Sequence, residues 1–252
     1  MNSDKILVFD ISGEYGHFRK FNTTTSPLTY PIPTRPALAG LIGAILGIER
    51  EISPGVFPPG GVSVCELFHP EKMSIAVQVL QPVKKTHFAF NLLDTEKSAS
   101  SFFNVKNRTQ IEFEFLKDPA FRVFFQHTDP QVFEELAVRI RARKYHFTPY
   151  LGIAQLAALV ELHGIFPCKA VRNSEENAIE IISAVNLSKL NLPNPIQFGT
   201  GHYTSDTYPH ILQKDREVAA FSEILVERKG EKVKVKCPIY WEVESLGNIL
   251  FL

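Results

Sequence analysis

The chain has 252 residues, of which 44% are hydrophobic and 21% are charged, and its basic and acidic residues balance to a net charge of zero. This composition is typical of a globular protein with one large or two small domains, and it argues against a protein that binds polyanions through overall charge. Residues 6–9 are too short an apolar run for a signal peptide, and the uncharged residues 37–48 are too few for a membrane span. Three widely spaced cysteines predict reduced thiols, so we expect a cytoplasmic protein with no membrane partner.

The first two predicted elements have the clearest local signals. Residues 5–11 (KILVFDI) form a nearly continuous apolar run, which predicts a central strand covered on both faces. Residues 29–48 join a proline-stiffened segment to an uncharged helix that begins after Thr34 as N-cap and ends at Gly47. Since glycine is unfavourable inside a helix, the glycines of this helix indicate that something approaches its backbone closely. The two alternatives are tight packing of the helix on a sheet and a phosphate bound at the helix start.

The next elements alternate between strands and turns. Residues 62–68 and 73–79 are predicted strands, residues 84–110 a protruding loop or hairpin, and residues 111–125 two further strands. A second helix follows Asp129 and ends in the cationic run RARKY, where the helix dipole favours positive charge. This order matches a split βαβ arrangement, whose open antiparallel sheet supports many RNA-binding modules.

Beyond residue 147 the pattern is mostly β. Residues 178–185, 219–226 and 239–252 read as strands, residues 191–210 read as a loop, and residues 153–162 are compatible with either a helix or a strand. We therefore expect a β-rich C-terminal region after the first domain.

Three windows without acidic residues concentrate basic side chains. They contain Arg19, Lys20 and Arg35 with His17; Lys97, Lys106 and Arg108; and Arg139, Arg141, Arg143 and Lys144 with His146. In the first window, residues 17–26 (HFRKFNTTTS) interleave cations with phenylalanines, a mixture suited to single-stranded nucleic acid. The windows predict one basic face; the alternatives are chance clustering, a surface loop pinned by its phenylalanines, and arginines that only cap the second helix.

No pattern in the sequence indicates catalysis. The chain lacks the P-loop, the dinucleotide fingerprint, the nucleophile elbow and the HExxH motif, and its eight histidines have no metal-ligand spacing. His202, His210 and Asp206 lie in or beside one predicted loop and are a possible functional trio. The signal is weak, and a structural or surface role is favoured. We therefore expect no metal and no cofactor.

Four segments together resemble the CRISPR-associated RAMP proteins, specifically the Cas-five family. They are KILVFDISGEYGHFRK (5–20), SPLTYPIPTRPALAGLIGAILGI (26–48), NRTQIEFEFLKDPAFRVFF (107–125) and TPYLGIAQ (148–155). In addition, HFAFNLL (87–93) is similar to the version found in type I-B systems. The resemblance covers most of residues 1–155.

The resemblance implies an α+β fold with a ferredoxin-like (RRM/RAMP) domain over residues 1–147, a protruding β-hairpin thumb at about residues 84–110, and a small β-rich C-terminal region over residues 148–252. It implies a non-catalytic CRISPR RNA-binding subunit of a type I, I-B-like Cascade surveillance complex in antiviral defence. Such a subunit caps the 5′ handle of the CRISPR RNA and contacts the backbone subunit and the large subunit, while the assembled complex holds target DNA.

The basic windows then become candidate phosphate contacts, which position RNA without reading its sequence. The candidate RNA-binding residues are His17, Phe18, Arg19, Lys20, Asn22, Thr34, Arg35, Lys84, Lys85, Lys106, Asn107, Arg108, Arg143, Lys144 and His146.

One branch of the family, in type I-C systems, is itself a metal-independent endoribonuclease that processes precursor RNA with a tyrosine and a lysine–histidine pair on the thumb. Tyr30 matches the tyrosine and Lys106 lies on the thumb, but no histidine stands beside Lys106, and His87 lies at the other end of the excursion. Because the general acid/base is displaced, Tyr30, Lys106 and His87 are only an alternative catalytic set, and we expect a separate processing enzyme. A purely structural protein–protein cap is the third hypothesis.

Overall fold

The computed structural model describes residues 4–21, 26–49, 51–53, 55–93, 108–174, 177–190 and 193–252. Its helices are α1 (Arg35–Leu46), α2 (Val64–Leu67) and α3 (Pro130–Ala142), with a 3₁₀ turn at Leu187–Lys189. The first strands are β1 (Lys5–Ser12), β2 (Tyr15–Gly16), β3 (Met73–Val79), β4 (Lys84–Leu93), β5 (Arg108–Lys117) and β6 (Ala120–His127). The later strands are β7 (Leu159–Arg172), β8 (Ala178–Ile181), β9 (Val185–Asn186), β10 (Ile196–Gln197), β11 (Tyr203–Leu212), β12 (Val218–Glu227), β13 (Val233–Lys236), β14 (Ile239–Val243) and β15 (Gly247–Ile249).

The chain is mixed α+β and consists mostly of sheet. Its largest sheet has nine strands in the order β10-β13-β8-β15-β14-β7-β1-β6-β3. Strand β1 lies inside this sheet and pairs antiparallel with both β6 and β7. Leu7 and Phe9 pack into the core beneath α1 and α3, whereas Ile6 and Val8 pack into a second core on the opposite face. The prediction of a central strand buried on both faces is confirmed.

Two smaller sheets adjoin the large one. The first has the order β2-β5-β4, and the second has the order β11-β12-β9. Strands β4 and β5 pair from Lys84 opposite Lys117 to Leu93 opposite Arg108. The connection between β4 and β5 lies outside the described residues. The predicted division into a first domain and a C-terminal region after residue 147 stays a prediction. Strand β7, which follows residue 147, pairs along β1, so the two regions share one sheet.

The predicted helix ends are confirmed by their caps. The Thr34 side chain accepts from the Ala37 N–H of α1, and Gly47 ends the helix with a left-handed φ of 82°. The Asp129 side chain accepts from the Gln131 N–H at the start of α3. Both helix starts were identifiable because capping depends on residues close together in the sequence.

Two predictions of local structure are wrong. Residues 62–68 contain the short helix α2 in place of a strand, because one helical turn places Val64 and Phe68 together against Gly43 of α1. Residues 191–210 contain β10 and the first part of β11 in place of a continuous loop. β11 lies at the edge of its sheet, where a strand tolerates polar residues and lacks a strong apolar pattern.

Two further findings concern the cysteines and the lengths of the helices. Cys65, Cys168 and Cys237 carry free thiols. Across the described ranges, every helix is too short or too polar to cross a membrane.

Candidate nucleic-acid interface

The loop after β1 and the segment that returns from it to α1 are paired with each other. We call residues 17–21 and 26–30 the loop pair. Tyr30 N–H donates to the carbonyl oxygen of Phe18 at 2.8 Å. Glu114 N–H, from β5, donates to the carbonyl oxygen of Pro27 at 3.0 Å. The loop pair is therefore attached to the β4–β5 ladder.

The Glu114 carboxylate makes the strongest of these attachments. Its Oε2 accepts from Lys85 Nζ at 2.7 Å and from the Thr29 N–H at 3.0 Å, while Lys85 Nζ also donates to the Thr29 carbonyl at 2.9 Å. His87 Nε2 lies 3.9 Å from the other carboxylate oxygen. Burial raises the pKa of Glu114, but the hydrogen bonds from Lys85 and Thr29 outweigh it and leave the pKa below its ordinary value. Lys85 thus holds the base of the ladder to the loop pair.

His17 and Phe18 are buried. His17 Nδ1 donates to the carbonyl oxygen of Glu114 at 2.7 Å, and its ring centroid lies 5.5 Å from that of Phe115. Burial lowers the pKa of His17, which keeps the ring neutral near pH 7. Phe18 packs edge-on against Phe121 at 6.3 Å. Both side chains therefore pack in the interior of the protein and stabilise the loop.

Gly152 lies directly against this loop. Its φ is 95°, and a Cβ at this position would lie 1.9 Å from the carbonyl oxygen of His17. His17 N–H donates to the neighbouring Leu151 carbonyl at 2.9 Å. The segment at residues 148–155 thus fixes the position of the loop, and only glycine fits here.

Arg35 has a structural partner inside the protein. It is only 6% exposed, and its NH2 donates to the carbonyl oxygen of Met73, on the outer edge of β3, at 2.8 Å. The next two outward carbonyls of β3 accept from Leu252 N–H at 2.8 Å and from Ala184 N–H at 2.7 Å. Burial lowers the pKa of Arg35 to about 10, so the guanidinium remains cationic at neutral pH. The Arg35 side chain thus supplies the hydrogen-bond donor for one backbone carbonyl along the outer edge of β3.

The start of α1 offers few amides to a phosphate. Pro36 has no N–H, and the buried Thr34 side chain already accepts from Ala37 N–H at 3.2 Å. The two glycines inside α1 have different surroundings. Gly43 packs against α2, where a Cβ would lie 3.3 Å from a side-chain carbon, whereas Gly40 faces open space. The packing alternative therefore accounts for Gly43 without a bound phosphate.

The outward side of the loop carries Arg19 and Phe21. Burial alternates along this extended segment: Phe18 is buried, Arg19 exposed, Lys20 half-buried and Phe21 exposed. The Lys20 ammonium pairs with the carboxylate of Asp206, on β11. Of these two neighbouring cations, Arg19 is the more exposed.

Tyr30 is completely buried. Its hydroxyl donates to the Thr207 carbonyl oxygen at 2.6 Å, and its ring stacks on Tyr208 with centroids 4.2 Å apart. Burial, with a contribution from Asp206, raises the pKa of Tyr30 to about 12. The hydroxyl is therefore protonated and occupied at neutral pH.

The third basic window lies at the far end of α1. Arg143 caps α3 in a left-handed conformation and pairs with Glu161 at 2.9 Å. His146 N–H donates to the Ile45 carbonyl at 3.2 Å, and Lys144 is exposed. Since α1 has 12 residues, it separates this group from the first helical residue by about 16–18 Å.

The remaining candidates lie on the ladder. Lys84 is exposed and stands opposite Lys117 at the ladder base. Asn22, Lys106 and Asn107 lie outside the described residues, and of Arg108 only the backbone is described.

Sequence reasoning missed the contacts of three residues in this region: Glu114, Asp206 and Phe221. Glu114 and Asp206 pair with lysines 29 and 186 positions away, and Phe221 packs on Phe21 from β12. No local signal could reveal these partners. Within the described segments, no three His, Cys, Asp or Glu side chains lie close enough together to hold a metal ion.

The fold resembles several solved CRISPR-associated structures. A CRISPR protein from Archaeoglobus fulgidus has a TM-score of 0.56 at 11% identity, covering 98% of this chain and all of that one. A chain of a CRISPR RNA-guided surveillance complex has a TM-score of 0.50 at 13% identity, covering 92% and 91%. A chain of the type III-B Cmr-beta complex, bound to cognate target RNA and AMPPnP, has a TM-score of 0.51 at 12% identity, covering 91% and 86%. These similarities define the fold as one found among CRISPR-associated proteins.

The sequence match is more specific. The family model described as CRISPR-associated protein (Cas_Cas5) matches residues 6–208. The chain therefore belongs to this family, the Cas-five family that the sequence motifs predicted. A search of curated proteins finds no match.

Proposed function

We propose that this chain is a non-catalytic RNA-binding subunit of a CRISPR effector complex, in which it holds the 5′ handle of the CRISPR RNA. The observation that carries this proposal is the attachment of the loop pair to the β4–β5 ladder through Lys85 and Glu114. This attachment brings two elements with exposed cations, Arg19 and Lys84, into one region. Family membership and the structural neighbours from a CRISPR RNA-guided surveillance complex and a type III-B Cmr-beta complex support the same role.

The strand order supports a ferredoxin-like interpretation of the first half. Strands β7, β1, β6 and β3 are neighbours in that order and antiparallel throughout, with α1 following β1 and α3 following β6. A split βαβ unit has this arrangement. In this interpretation β4 and β5 are the two strands of the RAMP thumb.

The proposed interface is smaller than the candidate set from the sequence. We assign phosphate contacts to Arg19 and Lys84, and we retain Asn22, Lys106, Asn107 and Arg108 as predictions. The buried His17, Phe18, Thr34 and Arg35 are left out, because their side chains already serve the interior. Lys20 and Lys85 are paired with acids and act as positioning residues. Arg143, Lys144 and His146 form a separate group at the other end of α1.

The proposed partners are the CRISPR RNA, the backbone subunit and the large subunit of an I-B-like Cascade, with target DNA held by the assembled complex. The test is copurification with the neighbouring subunits, followed by measurement of retained RNA by ultraviolet absorbance ratio. In salt titrations of RNA binding, Arg19→Ala/Lys84→Ala should lower affinity and reduce the log–log slope by roughly 0.7 for each phosphate that is no longer bound. Arg172→Ala, at an exposed cation on β7, is the matched control. Equal behaviour of the two variants would contradict the assignment.

The absence of catalysis is part of the proposal, and the burial of Tyr30 supports it. A hydroxyl that donates to Thr207 and has a raised pKa is poorly placed to activate a ribose 2′-hydroxyl. Incubation of the purified protein with repeat RNA and EDTA tests the alternative. We expect no product ending in a 2′,3′-cyclic phosphate; such a product would establish the endoribonuclease.

A further inference from the structure

Two phenylalanines from distant parts of the chain form an exposed aromatic surface beside the loop pair. Phe21 and Phe221 have ring centroids 4.6 Å apart with planes inclined at 45°. Phe21 is 52% exposed and Phe221 is 43% exposed. We call this pair the aromatic shelf. Large rings exposed together indicate a binding surface more often than single exposed rings do.

A cation stands next to the shelf on the same side of the chain. Arg19 and Phe21 flank Lys20, and both side chains are exposed, whereas Lys20 is half-buried. Two residues span at most about 7 Å, so the Cα atoms of Arg19 and Phe21 are close together. The residue between them, Lys20, points the other way and pairs with Asp206. This inward pair fixes the segment, so that Arg19 and the Phe21 ring are presented together.

The chain segment that carries Phe221 has a charge of the other sign. On β12, Phe221 is followed two residues later by Glu223, whose carboxylate accepts from the Ser205 hydroxyl at 2.9 Å. Each ring of the shelf thus has a charged residue two positions away in the sequence, the cation Arg19 near Phe21 and the anion Glu223 near Phe221. A ligand with one flat apolar face and one negative group would bind with its anion directed towards Arg19.

We propose that the aromatic shelf stacks one unpaired RNA base while Arg19 binds an adjacent phosphate. One residue, Lys20, separates Phe21 from Arg19, and one nucleotide can bridge that distance with its base and its phosphate. Stacking on aromatic side chains tolerates any base, because every base has a π face. The inference rests on the proposed RNA-binding function and adds a base-binding position to it.

The test compares two probes that differ only in their bases. Fluorescein-labelled oligoadenylate is titrated against the full-length chain, alongside an abasic oligoribonucleotide of equal length. Phe21→Leu/Phe221→Leu keeps apolar volume but removes both rings. We expect its affinity for oligoadenylate to fall roughly five- to hundredfold, with little change for the abasic probe and an unchanged salt slope. Phe21→Tyr/Phe221→Tyr should restore binding to oligoadenylate.

A second aromatic pair, of which Phe198 is the exposed member, provides the control. Phe198 is 65% exposed and packs on Tyr203 with centroids 5.1 Å apart. Phe198→Leu should leave both affinities unchanged. Thermal melting of each variant shows whether a reduced affinity follows from unfolding.

The outcomes separate the two proposals. Failure of the unmodified chain to bind either probe would contradict RNA binding itself. If the chain binds but the leucine variant binds both probes as the original does, or is weakened equally for both, base stacking on the shelf is wrong. Loss of copurifying protein subunits with unchanged RNA affinity would also overturn the inference, and would assign the shelf to a protein partner.

Discussion

Lys85 and Glu114 form a charge pair of 2.7 Å that also holds a third chain segment, since both groups bond to the backbone of Thr29. The pair is mostly shielded from water, with side-chain exposures of 25% and 12%. Screening is therefore weaker than for an exposed pair, and the loop pair depends on these two side chains for its attachment to the ladder.

Replacement of Glu114 should destabilise this junction. In Glu114→Gln the ion pair is removed while the side-chain shape is kept, so we expect a loss of about 1–2 kcal/mol in the free energy of unfolding by urea. Glu112→Gln is the matched control, because Glu112 lies two residues away on the same face of β5 and is exposed. Equal stability of the two variants would show that the junction does not depend on the carboxylate.

The same carboxylate predicts a pH dependence. The pKa of Glu114 in the folded chain lies below its ordinary value, so its stabilising contribution is present above the unfolded pKa, near 4.3. It is lost as the pH falls through the lower, folded value. Between neutral pH and this acid range, the stability difference between the original chain and Glu114→Gln should shrink as the pH falls. A difference that stays constant from pH 7 to pH 3 would contradict the ion pair.

Arg35 and Arg19 should give opposite results although both belong to the first basic window. Arg35→Ala leaves a buried β3 carbonyl without its donor, and we expect a loss of about 2–3 kcal/mol in unfolding free energy. Arg19→Ala removes an exposed guanidinium and should change stability by less than about 0.5 kcal/mol while lowering RNA affinity. Urea unfolding and RNA titration of both variants make the comparison. Unchanged stability of Arg35→Ala would contradict its structural role.

Two glycines should respond to alanine in opposite directions. Gly152→Ala forces a Cβ into the His17 carbonyl at a left-handed φ, so we expect a loss of more than about 2 kcal/mol and a displaced loop. Gly40→Ala adds a methyl group to an exposed helical position with open space around it. It should raise the unfolding free energy by about 0.5–1 kcal/mol. Thermal melting measures both; a tolerated Gly152→Ala would contradict the close packing between this glycine and the loop.

Tyr30→Phe tests the buried hydroxyl. Removal of the hydrogen bond to Thr207 should cost about 1 kcal/mol of stability, because the Thr207 carbonyl loses its donor while the stacking on Tyr208 remains. RNA affinity should be unchanged below the melting temperature. A variant that melts normally but loses a cleavage activity present in the original chain would favour the endoribonuclease.

Local signals in the sequence were sufficient for α1, α3 and β1. Thr34 and Gly47 define α1 through interactions within a few residues, and the run at residues 5–11 defines β1 through its apolar character. β11 was missed because its edge position permits Pro209 and several polar residues. Its identity as a strand depends on pairing with β12, which residues 203–212 alone do not reveal.

The basic windows predicted the candidate site only in part. Arg35 is buried against Met73, 38 residues away, and Lys20 is paired with Asp206, 186 residues away. A sequence window that lacks acidic residues can therefore still contain cations whose partners come from distant parts of the chain. Arg19 and Phe21 are exposed, whereas Phe18 lies in the core.

The outer edge of β3 has a consequence for synthesis on the ribosome. Its outward carbonyls accept hydrogen bonds from Arg35, from Ala184 N–H and from Leu252 N–H. The last of these donors therefore leave the ribosome long after the strand itself. A nascent chain that has not reached these residues exposes an unpaired strand edge, which invites pairing with other chains. Release of chains shortened before residue 184 should therefore give aggregates, and chaperone capture should be strongest during translation of the second half.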